Sequence, residues 1–372
     1  MIYFDNAATT KVYQEIIDSF NNALIRYMGN SSSTHKEGLK ALELEKKATQ
    51  QIASFFSCQE DEVIYTSGAT ESNNMAIKGV AFRYQNRGKH LITTKIEHLS
   101  VLNTFKQLEE FGFKVTYLDV DENGVIDLMD LENNITDDTI LVSIMTVNNE
   151  TGSIQDIASI GKLLKKYPKI HFHTDATQAI GKLNVDYSNV DLITLSGHKI
   201  HSLKFSGLLI KRKTTDLVPL IVGGGHQNNL RSGTTNVPLE VALSKAIRLS
   251  FIRQEENYKK VEELRDYLFS KLLLIEGIKL NSTKSGSPYI ISFSTNKKAS
   301  VVAEALSNKE IYVSTKSACS SKKEAYSYVL EAMNKDKWVL SNSLRVSFDE
   351  NNTKEEIDIF CEELNHILKT IK

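Results

Sequence analysis

The sequence predicts an α/β protein with a mostly parallel, seven-stranded sheet in a large domain and a smaller α+β domain beside it. From Glu62 onward, short runs rich in β-forming residues alternate with longer amphipathic segments. Strands that alternate with helices need crossover connections, and these give a parallel sheet with both faces covered. The chain has 372 residues, of which 41% are hydrophobic, so it is long enough to build both domains around substantial cores.

Seven runs are predicted as the strands of the sheet, at about residues 62–66, 90–94, 113–118, 139–146, 170–175, 191–195 and 207–211. Helices are predicted before and between them, at about 14–26, 37–56, 70–87, 98–111 and 154–167. A long charged helical stretch then leads into a compact module, with strands at 289–294, 311–314 and 343–347 and helices at 300–307 and 354–370. The stretch itself covers about 238–274, and we place the domain boundary inside it. The predicted large domain is residues 15–255, and the small domain combines residues 1–14 with 256–372.

Composition excludes several classes of function. The net charge of −1 leaves no basic excess to hold a phosphate backbone, so we expect no direct binding of nucleic acid. No apolar run approaches the ~18 residues of a membrane span, and no N-terminal secretion signal is visible. The three cysteines, Cys58, Cys319 and Cys361, are widely separated. Such sparse usage fits a reducing cytoplasm and argues against disulfides or a structural zinc site.

Lys199 closes a predicted strand in the run S-G-H-K at 196–199, at the mouth of the sheet. Burial disfavours the charged form of an amine, and a neutral amine condenses with an aldehyde such as that of pyridoxal 5′-phosphate. A lone lysine beside a histidine is more often a solvated surface residue. Asp175 changes the balance, because it ends another apolar run and this cofactor needs a carboxylate at its pyridine nitrogen.

The segment S-G-A-T-E at 67–71 lies between a predicted strand and a predicted helix. Its backbone N–H groups and the helix dipole would face whatever occupies the turn, and Thr70 adds a hydroxyl, so the segment forms a candidate phosphate cup. Gly68 and Ala69 are small enough to let the backbone approach. An ordinary helix N-cap is an equally good interpretation of this stretch alone.

Three further polar residues follow predicted strands. His98 would stack on an aromatic ring or move a proton, although a lone histidine is more often structural. Asn149 would donate to a phenolate oxygen, although asparagine pairs also make turns. Gln178 falls just after Asp175 and would bond the edge of a cofactor. His171 and His173 alternate with Asp175 along one strand, but we reject a metal site because it leaves Lys199 and the phosphate cup unexplained.

Cys319 and Arg345 are the remaining candidates. Cys319 lies in a small, polar, lysine-rich segment, where neighbouring cations favour the nucleophilic thiolate, whereas Cys58 and Cys361 fall in or beside helical segments and fit inert residues. Arg345 lies in an apolar predicted strand, where a guanidinium without an anion is costly. A substrate carboxylate held by both nitrogens and a salt bridge within the small domain are equally good explanations of it.

With these residues noted, the chain resembles the cysteine desulfurase family of fold-type I pyridoxal-phosphate enzymes, the class V aminotransferases, over nearly its whole length. The resemblance rests on blocks in one order: F-D-N-A-A-T-T at 4–10, G-N-S-S-S-T-H at 29–35, T-S-G-A-T-E-S-N-N at 66–74, E-H at 97–98, N-N-E-T-G at 148–152, H-T-D-A-T-Q at 173–178, S-G-H-K at 196–199, G-G-G at 223–225, R-S-G-T at 231–234, S-A-C-S-S at 317–321 and L-R-V-S at 344–347. So many ordered blocks are far more specific than any single motif.

The resemblance implies a role for each candidate. Lys199 would form the Schiff base with the cofactor and move the substrate proton, Asp175 would hold the pyridine nitrogen, and His98 would stack on the ring with an acid–base role. The phosphate would be held by Ala69, Thr70, Ser196 and His198, with Thr234 supplied by a partner subunit. Asn149 and Gln178 would contact the phenolate side, and Asn149 would also face the substrate. Arg345 would hold the carboxylate of L-cysteine, and Cys319 would take its sulfur as a persulfide and release L-alanine.

The expected protein is thus a cytoplasmic, homodimeric cysteine desulfurase that passes sulfur to an acceptor protein for iron–sulfur assembly or tRNA thiolation. It departs from the family at residues 202–205, where S-L-K-F replaces a Gly-Pro-Lys-Gly turn, and at Lys316, where the family has glycine. The family's C-terminal tail for docking an iron–sulfur scaffold has no counterpart before Lys372, which favours a specialised acceptor. The alternatives are a selenocysteine lyase, another fold-type I lyase or aminotransferase that does not use Cys319, or a catalytically degenerate scaffold with this fold.

Overall fold

The computed structural model describes residues 1–315 and 326–370. Its strands are β1 (Ile2–Tyr3), β2 (Val63–Thr66), β3 (His90–Thr94), β4 (Lys114–Leu118), β5 (Thr139–Ser143), β6 (His171–Asp175), β7 (Leu192–Ser196), β8 (Gly207–Lys211), β9 (Lys279–Leu280), β10 (Ile290–Ser294), β11 (Ile311–Tyr312) and β12 (Ser343–Ser347). Its helices are α1 (Gln14–Arg26), α2 (Lys36–Phe55), α3 (Ala69–Tyr84), α4 (Leu99–Glu110), α5 (Leu128–Asn134), α6 (Ile157–Leu164), α7 (Val237–Ile252), α8 (Gln254–Leu272), α9 (Ala299–Ser307), α10 (Tyr328–Ala332), α11 (Lys337–Asn342) and α12 (Lys354–Thr370).

The central sheet has seven strands in the order β2-β8-β7-β6-β5-β3-β4. Neighbouring strands from β7 to β4 are parallel, and β8 runs antiparallel to both β7 and β2. The predicted fold class, an α/β protein with a mostly parallel seven-stranded sheet, is therefore confirmed. Because β2 shares the direction of β7, the carboxyl ends of β2, β3, β5, β6 and β7 all meet at one edge of the sheet.

Successive apolar residues of these strands enter cores on opposite faces of the sheet, as the two-residue period of a strand requires. In β3, Leu91 belongs to one core and Ile92 to the other. In β7, Leu192 and Ile193 divide in the same way. Strands buried on both faces give continuous apolar runs, and this explains why the sequence pattern located them within a few residues.

The C-terminal part of the chain builds a second layer. Strands β12, β10 and β9 form an antiparallel sheet, and β1 at the N-terminus pairs with β11. Their shared core contains Phe4 packed edge-to-face against Phe348 at 5.2 Å and against Phe360 at 5.7 Å. Packing of the N-terminal residues with this core supports the predicted small domain of residues 1–14 and 256–372, whose boundaries stay a prediction.

The predicted helix at 238–274 is two helices. α7 ends at Ile252 and α8 begins at Gln254, with Arg253 between them. α7 packs on α1 and α2, whereas α8 packs on α12, so the two halves serve different cores. The Arg253 side chain ties the break to α1, because it pairs with Glu15 at 3.0 Å and lies over the ring of Tyr13. Among the described residues, no helix is long and apolar enough to cross a membrane.

Candidate active site

The carboxyl edge of the central sheet opens into a cavity of about 520 Å³. Loops after five strands contribute to it, together with residues 7–9 of the N-terminal segment. The cavity brings together ten of the residues predicted from the sequence: Ala69, Thr70, His98, Asn149, Asp175, Gln178, Ser196, His198, Lys199 and Arg345. Their roles stay predictions, but a common location is what a shared cofactor site requires.

Lys199 ends a short 3-10 turn, Gly197–Lys199, that directly follows β7. Its Nζ donates to the carbonyl oxygens of Ala7 and Ala8, at 2.6 Å each. The side chain is half-buried. These contacts explain why the N-terminal motif at 4–10 belongs to the site, since its backbone holds the amine at the floor of the cavity.

Asp175 is the last residue of β6 and is 5% exposed. Its Oδ1 accepts the backbone N–H of Thr177 at 3.0 Å, and its Oδ2 accepts from Asn73 Nδ2 at 2.8 Å. Both bonds fix the orientation of the carboxyl group at the sheet edge, where a pyridine nitrogen needs a carboxylate. Asn73 was not singled out in the sequence, and only the packing of α3 on the sheet reveals its role.

His98 is the N-cap of α4. The backbone N–H of Ser100 donates to His98 Nδ1 at 3.2 Å, so the neutral ring carries its proton on Nε2. Ser100 Oγ in turn accepts from Asn73 Nδ2 at 2.9 Å. A single buried asparagine therefore connects the helix cap that holds His98 with the carboxylate of Asp175.

The predicted phosphate cup lies at the first turn of α3. Its N-cap residue, Gly68, offers no side chain to the N–H groups of that turn and has φ of +147°, a backbone conformation that favours glycine. The 16-residue helix thus directs uncapped N–H groups and the positive end of its dipole at the cavity. Ser196 and His198 line the same region, and Glu71 is neutralised by Arg231 at 2.8 Å.

The imidazole of His198 suits a dianionic neighbour. Burial, and then the positive charge of Lys199, lowers its pKa to about 4 in the absence of an anion. Its Nδ1 lies 3.2 Å from the hydroxyl of Thr9. Both the neutral and the protonated ring have an N–H to donate, so His198 can act as a phosphate ligand in either form.

Asn149 and Gln178 face the cavity from neighbouring loops. Asn149 Oδ1 is buried and has no hydrogen-bond partner within residues 1–315 and 326–370, a costly state that a ligand would relieve. Gln178 is 4% exposed, and its Nε2 donates to the Ala7 carbonyl at 3.0 Å. That carbonyl also accepts from Lys199, so Gln178 and the lysine share an anchor.

Arg345 lies in β12 and is 3% exposed. Its Nη1 donates to the Asn149 carbonyl at 2.8 Å, and its Nη2 pairs with Asp5 at 2.7 Å. Its Nε has no partner within the described chain. The salt bridge considered at the sequence level is therefore present, yet the same guanidinium also lines the cavity, where it adds positive charge.

Thr234 and Cys319 do not join this cluster in the structure. Thr234 lines a separate cavity of about 230 Å³, which shares Ser67 and Phe205 with the larger one. Cys319 lies outside the described residues. The other two cysteines are poor nucleophiles, because burial raises the pKa of Cys58 to about 11 and that of Cys361 to about 12.

The histidines of β6 are held by hydroxyl groups. His173 lies 2.8 Å from Ser143 Oγ and 3.0 Å from Thr194 Oγ1, and His171 lies 3.0 Å from Thr215 Oγ1. Burial lowers the pKa of both rings, so both are neutral near pH 7. In the chain as described, no group of three acidic, histidine or cysteine side chains is arranged to hold a metal ion.

These residues fit pyridoxal 5′-phosphate. The uncapped turn of α3 suits its phosphate, the buried and hydrogen-bonded Asp175 suits its ring nitrogen, and Lys199 suits its aldehyde. Residues 2–360 match the aminotransferase class-V family, and the chain belongs to that family. Its members depend on pyridoxal phosphate, so the predicted cofactor is confirmed.

Similar proteins identify the kind of class-V aminotransferase to which the chain belongs. The cysteine desulfurase IscS of Dictyoglomus turgidum is 40% identical over 379 residues, which cover 100% of this chain and 95% of that protein. A NifS-like protein of known structure superposes with a TM-score of 0.94 at 36% identity, over 100% of both chains. SspA, solved in complex with cysteine, superposes with a TM-score of 0.83 at 34% identity and covers 95% of this chain and all of its own, 100%. The chain is a cysteine desulfurase that depends on pyridoxal phosphate, as the sequence predicted.

Proposed function

We propose that this enzyme cleaves the Cβ–S bond of L-cysteine, releases L-alanine, and carries the sulfur as a persulfide on Cys319 to an acceptor protein. The observation that carries the proposal is the convergence of Lys199, Asp175 and Arg345 on one cavity. The complex of the related SspA with cysteine supports the choice of substrate.

The described residues on both sides of Cys319 are bonded to site residues or to their sequence neighbours. On one side, Ser314 forms an antiparallel bridge with Arg345, with backbone bonds of 2.7 and 3.1 Å. On the other, Ser327 Oγ donates to Glu150 at 2.6 Å, next to Asn149. Tyr328 donates through its hydroxyl to the Glu97 carbonyl at 2.8 Å, next to His98. The described residues that flank Cys319 in the sequence thus contact residues that line the cavity or adjoin its lining, which supports Cys319 as the sulfur carrier.

The chain's own groups divide the work of the reaction. Bound pyridoxal phosphate supplies an electron sink, and Asp175 keeps its ring nitrogen protonated. Arg345 orients the substrate carboxylate, and Lys199 removes and returns the proton at the substrate's α-carbon. The thiolate of Cys319 attacks the substrate sulfur, forming an S–S bond as the C–S bond breaks with its electron pair left on carbon. A proton from His98 Nε2 or Lys199 then completes alanine.

We also propose a homodimer. The run at residues 218–222 exposes four apolar side chains, Val218, Leu220, Ile221 and Val222, of which Val222 is 76% exposed. Ile221 is bridged to Arg231 in the segment that carries Thr234. A partner covering this patch would meet the small cavity around Thr234, which supports the role of Thr234 as a phosphate ligand supplied across the interface.

The chemistry of a protein-bound persulfide bears on the cellular compartment and on the kind of acceptor. A persulfide passed between proteins is lost in an oxidising setting, and the sparse cysteines fit a reducing one, so we place the enzyme in the cytoplasm. We propose an acceptor protein that serves either iron–sulfur assembly or tRNA thiolation. Pull-down of the persulfide-loaded enzyme with each kind of acceptor, followed by tracking of labelled sulfur, separates the two.

The test is alanine release from L-cysteine with excess reducing thiol, by the wild type and by Cys319→Ala, after both are shown to bind the cofactor. We expect release by the wild type alone. Release by both would exclude Cys319 and favour a lyase of the selenocysteine type. Pyruvate formation from alanine would indicate an aminotransferase, and inactivity of both proteins with cofactor bound would support the scaffold alternative.

A further inference from the structure

Lys182 is a buried lysine for which the reaction described above has no use. It is 8% exposed and follows Gly181, whose φ of +71° turns the chain tightly after β6. A Cβ at position 181 would lie 2.3 Å from Ser250 Oγ, so the turn that directs Lys182 inward depends on glycine. A buried amine is costly, and an apolar side chain of the same shape would cost less, so its presence calls for a function.

Lys182 donates a hydrogen bond to Gln178, four residues earlier in the chain, with Nζ 3.2 Å from Oε1. Gln178 Nε2 donates in the opposite direction to the Ala7 carbonyl, which also accepts from Lys199. A row of polar groups therefore runs from Lys182 through Gln178 and Ala7 to Lys199. Because Gln178 lines the cavity, the orientation of its amide decides whether it offers a donor or an acceptor there.

We propose that Lys182 is a positioning residue that fixes the amide of Gln178 with its NH₂ group toward the cofactor's ring oxygen. An amide rotated by half a turn would present nitrogen to an amine that needs an acceptor, and oxygen to the Ala7 carbonyl. Both bonds would be lost, and a lone pair would face the cofactor oxygen. The proposal rests on the cofactor contact proposed for Gln178, and adds the group that controls it.

The positioning is strongest when Lys182 is an ammonium, which can only donate, because the lone pair of a neutral amine would also accept from a rotated amide. Burial, followed by the charge of Lys199, lowers the pKa of Lys182 to about 7, while Asp349 acts in the opposite direction and Arg345 adds further repulsion. An ammonium and a neutral amine both carry N–H groups, so the bond to Gln178 Oε1 persists in either form. The ring of Tyr289, 5.5 Å from Nζ, closes the site on the small-domain side.

The test compares holoenzymes of five variants by the pH midpoint of the cofactor's absorbance change, alongside cofactor affinity of the apo forms. Gln178→Leu removes the donor and should move the midpoint by about half a pH unit or more. Lys182→Met should move it in the same direction, and the double variant should match Gln178→Leu alone. Lys211→Met is the matched control, because Lys211 is also buried, at 9% exposed, and its Nζ donates to the Thr215 carbonyl at 2.9 Å away from the cavity.

Lys182→Arg provides a conservative check. It keeps N–H donors for Gln178 Oε1, and the cavity of about 30 Å³ beside Lys182 offers space for the extra atoms, so its midpoint should stay closer to the wild-type value than that of Lys182→Met. The inference is overturned if Lys182→Met behaves like the Lys211 control, if its shift adds to that of Gln178→Leu, or if Lys182→Arg shifts like methionine. An unchanged midpoint in Gln178→Leu would instead remove the cofactor contact of Gln178, and the inference with it.

Discussion

Glu97 shows how one buried side chain ties the site to the stability of the fold. It is fully buried behind His98, and its Oε1 accepts from Thr94 Oγ1 at 2.9 Å and from the Met145 backbone N–H at 2.8 Å. Its Oε2 has no partner within the residues described. Burial, reinforced by the charge of Asp175, raises the pKa of Glu97 to about 8, so the carboxyl is protonated at neutral pH.

A protonated Glu97 makes stability fall with rising pH. The folded protein keeps the proton up to about pH 8, whereas the unfolded chain releases it near its ordinary value of 4.5. Between these values the native state binds more protons, so this group's contribution decreases by about 1.4 kcal/mol per pH unit. Glu97→Gln keeps the accepting oxygen but has no proton that titrates. The free energy of unfolding of Glu97→Gln should therefore rise relative to that of the wild type as the pH increases from 4.5 to about 8.

Thermal unfolding of both proteins across the window measures this difference. Asp127→Asn is a suitable control, because Asp127 caps α5 at an exposed position and accepts from the Met129 N–H at 2.8 Å. A gap between Glu97→Gln and the wild type that does not change with pH would show that Glu97 is ionised in the folded protein.

The site contacts that the sequence did not predict join residues that are distant in sequence. Asn73 meets an aspartate 102 positions away, and Arg345 meets an aspartate 340 positions away. Neither partner could be chosen from a single sequence, because the choice depends on how α3 and β12 approach the sheet edge. Asp175 and Lys199 were predictable because Asp175 ends the buried strand β6 and Lys199 lies in the turn directly after the buried strand β7, where the local pattern already places the side chain.

The turn after β7, at residues 202–205, is one of the places where the sequence departs from the family's pattern. Phe205 has φ of +64°, in the left-handed region, and is 76% exposed. The family places glycine here, which adopts this conformation without cost, whereas a residue with a Cβ loses roughly 1 kcal/mol. The turn is held by Ser206, which donates to the Leu203 carbonyl at 2.6 Å and accepts the Gly197 N–H through its own carbonyl at 2.8 Å.

Strain at Phe205 can be tested with two substitutions that remove the same ring. Phe205→Gly should be more stable than Phe205→Ala by about 1 kcal/mol, since only glycine is relaxed at this φ. Chemical denaturation of the two holoenzymes gives the difference. Equal stabilities, or a more stable alanine variant, would mean that the turn changes conformation when the ring is removed.

The sequence predicted long or fully buried helices and strands well, but it missed short helices and a break between two helices. The seven sheet strands follow buried β-rich runs, and α1 and α12 match their predicted ranges, whereas the short helices α5, α10 and α11 were missed. Helices of 5–7 residues give too few turns for a periodic signal. The break at Arg253 was missed for a different reason. The residues on both sides of it share one continuous helical pattern, but α7 packs on α1 and α2 whereas α8 packs on α12.

At the scale of the whole molecule, the proposed homodimer would close the site. The patch at residues 218–222 lies beside the segment that carries Thr234, so its exposure should end in the dimer. Val222→Glu places a charge in that interface, and we expect it to produce monomers with weakened cofactor binding. Light scattering after size-exclusion chromatography measures the mass.

Leu274→Glu is the control for this substitution, because Leu274 is also apolar and 83% exposed but lies beyond the end of α8. It should leave the mass of the dimer unchanged. A dimeric Val222→Glu variant with normal cofactor binding would move the interface elsewhere and remove the support for Thr234 as a ligand from the partner.

Mass spectrometry of the enzyme after exposure to L-cysteine shows whether the substrate's sulfur moves to Cys319. We expect one added sulfur atom on the peptide that contains Cys319, removable by a reducing thiol and absent in Lys199→Ala. The peptides of Cys58 and Cys361 should be unmodified, because burial keeps both thiols protonated. Alanine release without sulfur on Cys319, or sulfur on either of the other cysteines instead, would contradict the account.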